Sequence, residues 1–332
     1  TMLSYYKNKD NPNFKSTNYS INFASEEDAD AAIEQYKADI MQEGDEIVDG
    51  SETVIYTLQP QASLTVIDQS TGEVKAIVGG RGDKTASKTL NRATDTTRQP
   101  GSTFKILAAY SAALDAGGLT LASVQDDAPY TYAGANGKSV NNYDRRYRGF
   151  TTLREAITDS INIVTVKTLA QADVSLGWQY VQEYGFTTVD SRDMNEALAL
   201  GGITQGVSNL ELTAAYAAIA NQGTYTRPVF YSQVIDSNGR VLLDNTTPTT
   251  HTVLKASTAS LLTQGMTSVI TEGTGTSAKL DGKMPVSGKT GTTSSEYDLW
   301  FCGYTPYLTA SIWTGYDENV SLSGDQAYHE RL

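Results

Sequence analysis

Three short groups of residues carry types and spacings that suit acyl transfer. In Ser102-Thr103-Phe104-Lys105 a hydroxyl and an amine stand three residues apart, one helical turn, so both fall on the same helix face. A serine hydroxyl is a weak nucleophile until a base takes its proton, and a neutral lysine is such a base. Burial and a second cation nearby both lower a lysine's pKa toward neutrality. The surroundings supply the first condition: Phe104, Ile106 and Leu107 make the following segment apolar almost all round. If Ser102 opens that helix, its first turn adds unpaired backbone N–H groups beside the hydroxyl. The plain alternative for any Ser-x-x-Lys is a serine N-cap followed by a solvated lysine.

Ser160-Ile161-Asn162 comes second. Residues i and i+2 of an ideal helix point apart, so Ser160 and Asn162 face one site only if they occupy a turn between helices. Alternatively, Asp159-Ser160 merely ends one helix and starts another. The third group, Lys289-Thr290-Gly291-Thr292, lies in strand-like sequence. Alternation sends Lys289 and Gly291 to one face and Thr290 and Thr292 to the other. A glycine inside a strand marks close approach of a ligand or another backbone. Such an edge binds a peptide by strand addition, with the cation holding a carboxylate; otherwise it is an ordinary edge strand with a protective lysine. Each pattern alone is weak. Ser4–Lys7 repeats the first, and Ser16–Asn18, Ser20–Asn22 and Ser139–Asn141 repeat the second. Order and separation discriminate: 58 residues part the two serines, and 129 part Ser160 from Lys289.

The elements that must hold these groups are legible. Ala62–Asp68 and Val74–Val78 read as a hairpin joined by Gln69–Glu73. Residues 101–116 read as a buried helix ended by Gly117-Gly118. Thr152-Leu153-Arg154-Glu155 has the form of a capping box opening helical sequence to about Ala172. Leu210–Asn221 and Ser260–Thr271 read as helices, and Tyr231–Leu243 as a satellite hairpin. Val286–Thr293, Leu299–Tyr304 and Leu308–Tyr316 read as strands. Strands first, helices in the middle and strands last predict an α+β domain whose single sheet is built from both chain ends.

Composition narrows the chemistry. The 332 residues carry a formal charge of −13, one cysteine and two histidines. That charge argues against nucleic acid or an anionic membrane as a partner. Only His251 and His329 are available as the base of a Ser-His-Asp triad, and neither has zinc-ligand spacing, so no metal or cofactor is expected. Cys302 alone makes no internal disulfide. No apolar run reaches the roughly 18 residues of a membrane span. The abrupt polar start reads as an excerpt from something longer. Residues 1–53 hold 12 acids against 4 bases, which is −8 of the total, and Ser25 opens a helix there to about Met41 with acids in its first turn. These residues read as a linker subdomain, and 54–332 as the catalytic domain.

With these residues in view, the chain resembles the transpeptidase domain of class A penicillin-binding proteins, the bifunctional peptidoglycan synthases. The three patterns in this order are theirs and those of class A β-lactamases. The match is close at Asn91–Thr94, Arg98–Ser102, Ala197–Gly202, Gly206-Val207, Glu211-Leu212, Ala214–Tyr216, Asn221–Gly223, Lys289–Thr293 and Trp300–Pro306, and covers roughly 55–320.

The resemblance implies the penicillin-binding protein/serine β-lactamase-like fold, an antiparallel sheet flanked by an all-helical region. It implies that Ser102 attacks a D-Ala-D-Ala stem peptide, releases D-alanine and passes the acyl group to an amine of a neighbouring stem. Lys105 would be the base, Ser160 the proton relay, and Asn162 would bind the stem's amide. Lys289 with Thr290 and Thr292 would hold the terminal carboxylate, alongside Gly291 and Thr293, and the Ser102 and Thr292 N–H groups would form the oxyanion hole. β-Lactams would acylate the same serine. It further implies work at the extracellular face of the bacterial cytoplasmic membrane. The family's members carry a membrane anchor and a glycosyltransferase domain first; neither stands in these residues, so the expectation is an excerpt, residues 1–53 being the remnant between the two domains. A helix usually follows the family's last strand, and Tyr328–Arg331 would begin it. Two rivals remain at this point. A β-lactamase would hydrolyse the acyl-enzyme: in class D, which shares Ser-Thr-Phe-Lys, an aliphatic residue is preferred where Asn162 stands, and in class A a deacylating glutamate is needed, with Glu183 and Glu196 as the candidates. A penicillin sensor would bind without turnover.

Overall fold

The computed structural model describes residues 1–23, 25–48, 50–56, 59–82, 84, 86–133 and 137–322. Thr1–Gln59 and the chain from Pro60 onward are separately compact units. In the first, α1 (Met2–Lys7) and α2 (Glu26–Ile40) enclose a knot of Tyr5, Tyr6, Tyr19 and Tyr36. The Tyr6 hydroxyl donates to Asp39 at 2.7 Å, and Lys15 lies over the Tyr6 ring. Ser25 caps α2 by accepting from the Asp28 N–H at 3.1 Å, as its sequence predicts.

The second unit opens with the predicted hairpin, β1 (Gln61–Ile67) and β2 (Val74–Val78). A 3₁₀ turn at Gly101–Thr103, a π-helical stretch at Lys105–Tyr110 and α3 (Ser111–Asp115) then form one continuous buried rod. The apolar sequence predicts its burial; the departure from α geometry was not legible. Short strands follow, β3 (Val124–Asp127), β4 (Tyr130–Thr131), β5 (Ser139–Val140) and β6 (Gly149–Thr152), then α4 (Leu153–Thr158) and α5 (Asn162–Ala172). The capping box opens α4: Thr152 Oγ1 accepts from the Glu155 N–H, and Glu155 accepts from the Thr152 N–H at 2.8 Å. The helical sequence expected to run to Ala172 breaks at Ser160, which has φ +55°.

Next come α6 (Val174–Glu183), α7 (Asn209–Ala220), β7 (Thr224–Thr226), β8 (Gln233–Ile235), β9 (Val241–Asp244), β10 (Thr250–Thr252) and α8 (Ala256–Thr271). The satellite hairpin is the exposed β8–β9 pair. The chain closes with β11 (Ser287–Thr292), β12 (Asp298–Tyr304) and β13 (Thr309–Gly315).

The sheet order is β11-β12-β13-β1-β2, every pair antiparallel, so both ends of the domain build it and β11 is an edge. This is the expected α+β architecture, but the sheet is not single and the middle region is not all helical: among the described residues β3 with β6, β4 with β5, β7 with β10 and β8 with β9 form separate two-stranded pairs, all but β8–β9 too short for their sequence to announce them. One face of the sheet packs on α7 and α8 through Trp300, Cys302, Tyr304 and Trp313, in one core with Phe104–Leu114, α4 and α5. On the other face Leu64, Val66, Phe301, Ala310 and Ile312 line an apolar groove of about 470 Å³. Tyr328–Arg331, where a covering helix was expected to begin, lie outside the described residues.

Candidate active site

The approach to Ser102 is an extended arm clamped on both sides. Arg98 exchanges backbone hydrogen bonds with Val207 at 2.9 Å each. The Gln99 side chain accepts from the Ile203 N–H at 3.1 Å and donates to the Ile203 carbonyl, while Trp300 Nε1 donates to the Gln99 carbonyl at 2.9 Å. Gly101, at φ +53°, then turns the chain into the 3₁₀ turn. A Cβ there would sit 2.7 Å from the Thr292 carbonyl oxygen, and one on Gly291 would sit 2.7 Å from the Pro100 carbonyl oxygen. The Ser102 turn therefore lies flat along the edge strand, the close backbone approach that a glycine within a strand predicts. Ser102 is half-buried, and no hydrogen bond of its hydroxyl is found among the described residues.

Lys105 begins the π-helical stretch and is fully buried. Its Nζ lies 2.6 Å from the Ser160 carbonyl oxygen, 3.0 Å from Ser160 Oγ and 2.6 Å from Asn162 Oδ1. From the strand side, Lys289, also fully buried, reaches Ser160 Oγ at 2.9 Å and the Thr290 carbonyl at 3.1 Å. The Ser160 hydroxyl thus stands between two lysine nitrogens. Burial, and secondarily the Lys289 charge, hold the Lys105 pKa well below the ordinary lysine value. A solvated lysine is excluded here.

The left-handed turn at Ser160 answers the i, i+2 problem: it separates α4 from α5, so Ser160 and Asn162 both meet Lys105. Asn162 Nδ2 donates in turn to the Asn141 carbonyl at 2.7 Å. The Ser139–Asn141 repeat of the motif is therefore not a rival site but part of the second motif's setting.

On β11 the alternation holds. Lys289 points inward, and the Thr290 hydroxyl shares a hydrogen bond of 2.8 Å with Thr274, just past α8. Thr292 is exposed at the strand's end. Thr293 Oγ1 accepts from the Asp298 N–H at 2.9 Å. Asp298 was not legible as a site residue. Its buried carboxylate accepts from Arg98 Nε at 2.6 Å and Trp313 Nε1 at 2.9 Å, tying the arm before Ser102 to the loop after β11. The Arg98 residue flagged by sequence was half the signal; the partner 200 residues away was not visible.

His251, Glu183 and Glu196 lie elsewhere. His251 Nε2 lies 2.7 Å from the Glu183 carbonyl oxygen and 3.6 Å from its carboxylate. Glu196 accepts from the Tyr130 hydroxyl and the Ala133 N–H at 2.8 Å each. Neither glutamate is bonded to Ser102, Lys105 or Ser160 among the described residues. His329 lies outside them. Cys302 is buried on β12, its thiol pushed up to about 12 by burial. Among the described residues no group of three or more His, Cys, Asp or Glu is arranged to hold a metal ion, and no helix is long and apolar enough to cross a membrane.

Comparison with known proteins supplies the family. Residues 62–321 match the profile described as the penicillin-binding protein transpeptidase domain. Penicillin-binding protein 1A of Clostridium acetobutylicum is 38% identical over 276 residues, which is 80% of this chain and 34% of that protein. Penicillin-binding protein 1F of Bacillus subtilis is 39% identical over 281 residues, 82% of this chain and 38% of that protein. The chain thus spans little more than a third of the length of these relatives. Among solved structures, the PonA1 protein from Mycobacterium tuberculosis in complex with penicillin V superposes with a TM-score of 0.67 at 25% identity, covering 79% of this chain and 71% of that one.

Proposed function

Since the chain belongs to the family of penicillin-binding protein transpeptidase domains, we propose that it is a serine D-Ala-D-Ala transpeptidase that cross-links peptidoglycan stem peptides and is acylated by β-lactams. The observation that carries the reading is the Ser160 hydroxyl held at 3.0 and 2.9 Å between the nitrogens of Lys105 and Lys289, with Lys105 buried and depressed in pKa.

In the proposed reaction neutral Lys105 takes the Ser102 proton as Ser102 Oγ attacks the carbonyl carbon of the penultimate D-alanine. The oxyanion is received by the Ser102 and Thr292 N–H groups; losing one such donor typically costs about 100-fold or more. The C–N bond then breaks. The departing D-alanine takes its proton from Ser160, whose hydroxyl is re-protonated by Lys105 at 3.0 Å with Lys289 at 2.9 Å on its other side. An amine from a second stem attacks the ester carbonyl and gives a proton to Lys105; a new C–N bond forms, the C–O bond to Ser102 breaks, and Ser102 Oγ takes that proton back. Lys289, Thr290 and Thr292 hold the terminal carboxylate, with Gly291 and Thr293 shaping that edge, and Asn162 binds the stem's amide. Strand addition to the β11 edge supports this pose. We further propose that the chain acts at the extracellular face of the bacterial cytoplasmic membrane, and that residues 1–53 are linker between this domain and a glycosyltransferase domain of the full-length protein.

The test is incubation with a fluorescent penicillin, followed by intact mass. A stable adduct, absent in Ser102→Ala, supports the reading. Rapid release of hydrolysed drug would make the chain a β-lactamase. Absence of any adduct would overturn the catalytic reading, and adduct without cross-linked product from donor peptide and acceptor amine would leave a sensor.

A further inference from the structure

The second motif stands on a turn whose backbone is tied to α4, the Ser160 N–H donating to the Ile157 carbonyl at 3.3 Å and the Ile161 N–H to the Ala156 carbonyl at 2.9 Å, but whose own side chains do not cap α5. Ile161, at the N-cap of α5, has an apolar side chain and makes no cap. The cap comes from 20 residues upstream: Asn142 Oδ1 accepts from the Asn162 N–H at 3.1 Å and the Ile163 N–H at 3.2 Å. Asn142 is 3% exposed, and its Nδ2 donates to both oxygens of Asp127, at 2.8 and 3.0 Å, and to the Arg146 carbonyl at 2.8 Å. Asp127, at the end of β3, is 0% exposed. It also accepts from the Arg148 N–H at 2.9 Å, with the Arg148 guanidinium 3.9 Å away.

We infer that Asn142 and Asp127 are positioning residues for the proposed reaction: the Asp127 carboxylate orients the Asn142 amide, and that amide clamps the Ser160–Asn162 turn against Lys105. The orientation follows from donor and acceptor chemistry. A carboxylate accepts only, so it selects the NH₂ end of Asn142 and leaves the oxygen for the two backbone N–H groups. A neutral amide at 127 weakens that selection, leaving the Arg146 carbonyl as the acceptor that still favours the NH₂ end of Asn142. Asn162 Oδ1 and the Ser160 carbonyl, two of the three acceptors of Lys105, move with the turn.

The inference rests on the acyl-transfer reading, and its test separates the two. Acylation of the full 332-residue chain by a saturating fluorescent penicillin is followed against pH. Failure of the wild type to acylate sinks the reading. With wild type active, Asp127→Asn is expected to slow acylation on the order of 10- to 100-fold through misplacement of the relay. It also moves the acidic limb of the profile to higher pH, because a loosened turn admits water and Lys105 holds its proton more readily. Lys289 of β11 is the charge that bears on Lys105; the α5 turn presents the neutral Ser160 and Asn162, Lys167 of α5 donates to the Asp126 carbonyl, Glu196 is bonded to Tyr130 and Ala133, and Glu183 of α6 sits against His251. Asn142→Asp keeps the helix-facing acceptor but sets two carboxylates together, and is slower still. The exchange Asp127→Asn with Asn142→Asp restores one donor–acceptor pair and recovers part of the rate. Variants that lose thermal stability while the rate per folded molecule and the acidic limb stay at wild-type values would overturn the inference. So would rapid hydrogen exchange at the Asn162 and Ile163 amides of the wild type, a measurement that needs no variant and no activity.

Discussion

As the proposed base, Lys105 can serve only while its nitrogen is uncharged, and its surroundings favour that form. Removing an ammonium from water is costly, and Lys289 beside it repels a second charge, so the proton leaves at a pH well below the ordinary lysine value of about 10.4. Protonation at lower pH removes the base, so the acylation rate should fall as pH drops through that depressed value; a flat pH–rate profile with fluorescent penicillin would contradict the role. Lys105→Ala should abolish detectable adduct while circular dichroism stays native. Lys105→Arg is the sharper variant: arginine keeps the charge and does not deprotonate, so it should be as inactive as alanine. Lys105, Ser160, Asn162 and Lys289, which the structure brings together, were legible through the order and spacing of the three patterns and the family resemblance they carry, and Ser102 through the same patterns. Asp127, Asn142, Asp298 and Thr274 were not, because a carboxylate or amide that orients another residue has no spacing of its own to betray it.

At the scale of elements, periodicity and capping located the site-bearing helices and strands, but not the irregularities that make them work. The capping box of α4 and the hairpin β1–β2 stand where local signals put them, whereas β3 to β6 are two to four residues long and pair only because distant segments meet. The rod from Gly101 to Asp115 reads as one apolar helix. Its turn geometry is set by the edge strand it lies against and the Tyr216 hydroxyl, which donates to the Thr103 carbonyl at 2.7 Å. Gly101 is the pivot. Gly101→Ala meets both a left-handed backbone and the Thr292 carbonyl, so it should cost at least about 1–2 kcal/mol in stability and slow acylation severely, measured by thermal unfolding and adduct formation. Native stability with full activity would show that the arm has more room than this geometry allows.

On the scale of the whole molecule, every proposed catalytic group belongs to the unit that begins at Pro60. A chain starting there should fold and acylate at a rate within about twofold of the longer one, since that unit holds every proposed catalytic group and a factor of two is only about 0.4 kcal/mol. The sheet drawn from both ends of this unit also places the chain's one thiol at a telling point. Cys302 faces Lys289 on one side and Ser311 on the other, in the strand next to the active-site edge, buried and with its thiol pushed up to about 12. A maleimide or disulfide reagent reaches that thiol only when the sheet parts, so the labelling rate is a clock for opening of the strands under native conditions. A drug seated on Ser102 ties the rod to β11 and should slow that clock. The protein thus carries its own timer for how strongly an inhibitor holds its scaffold shut.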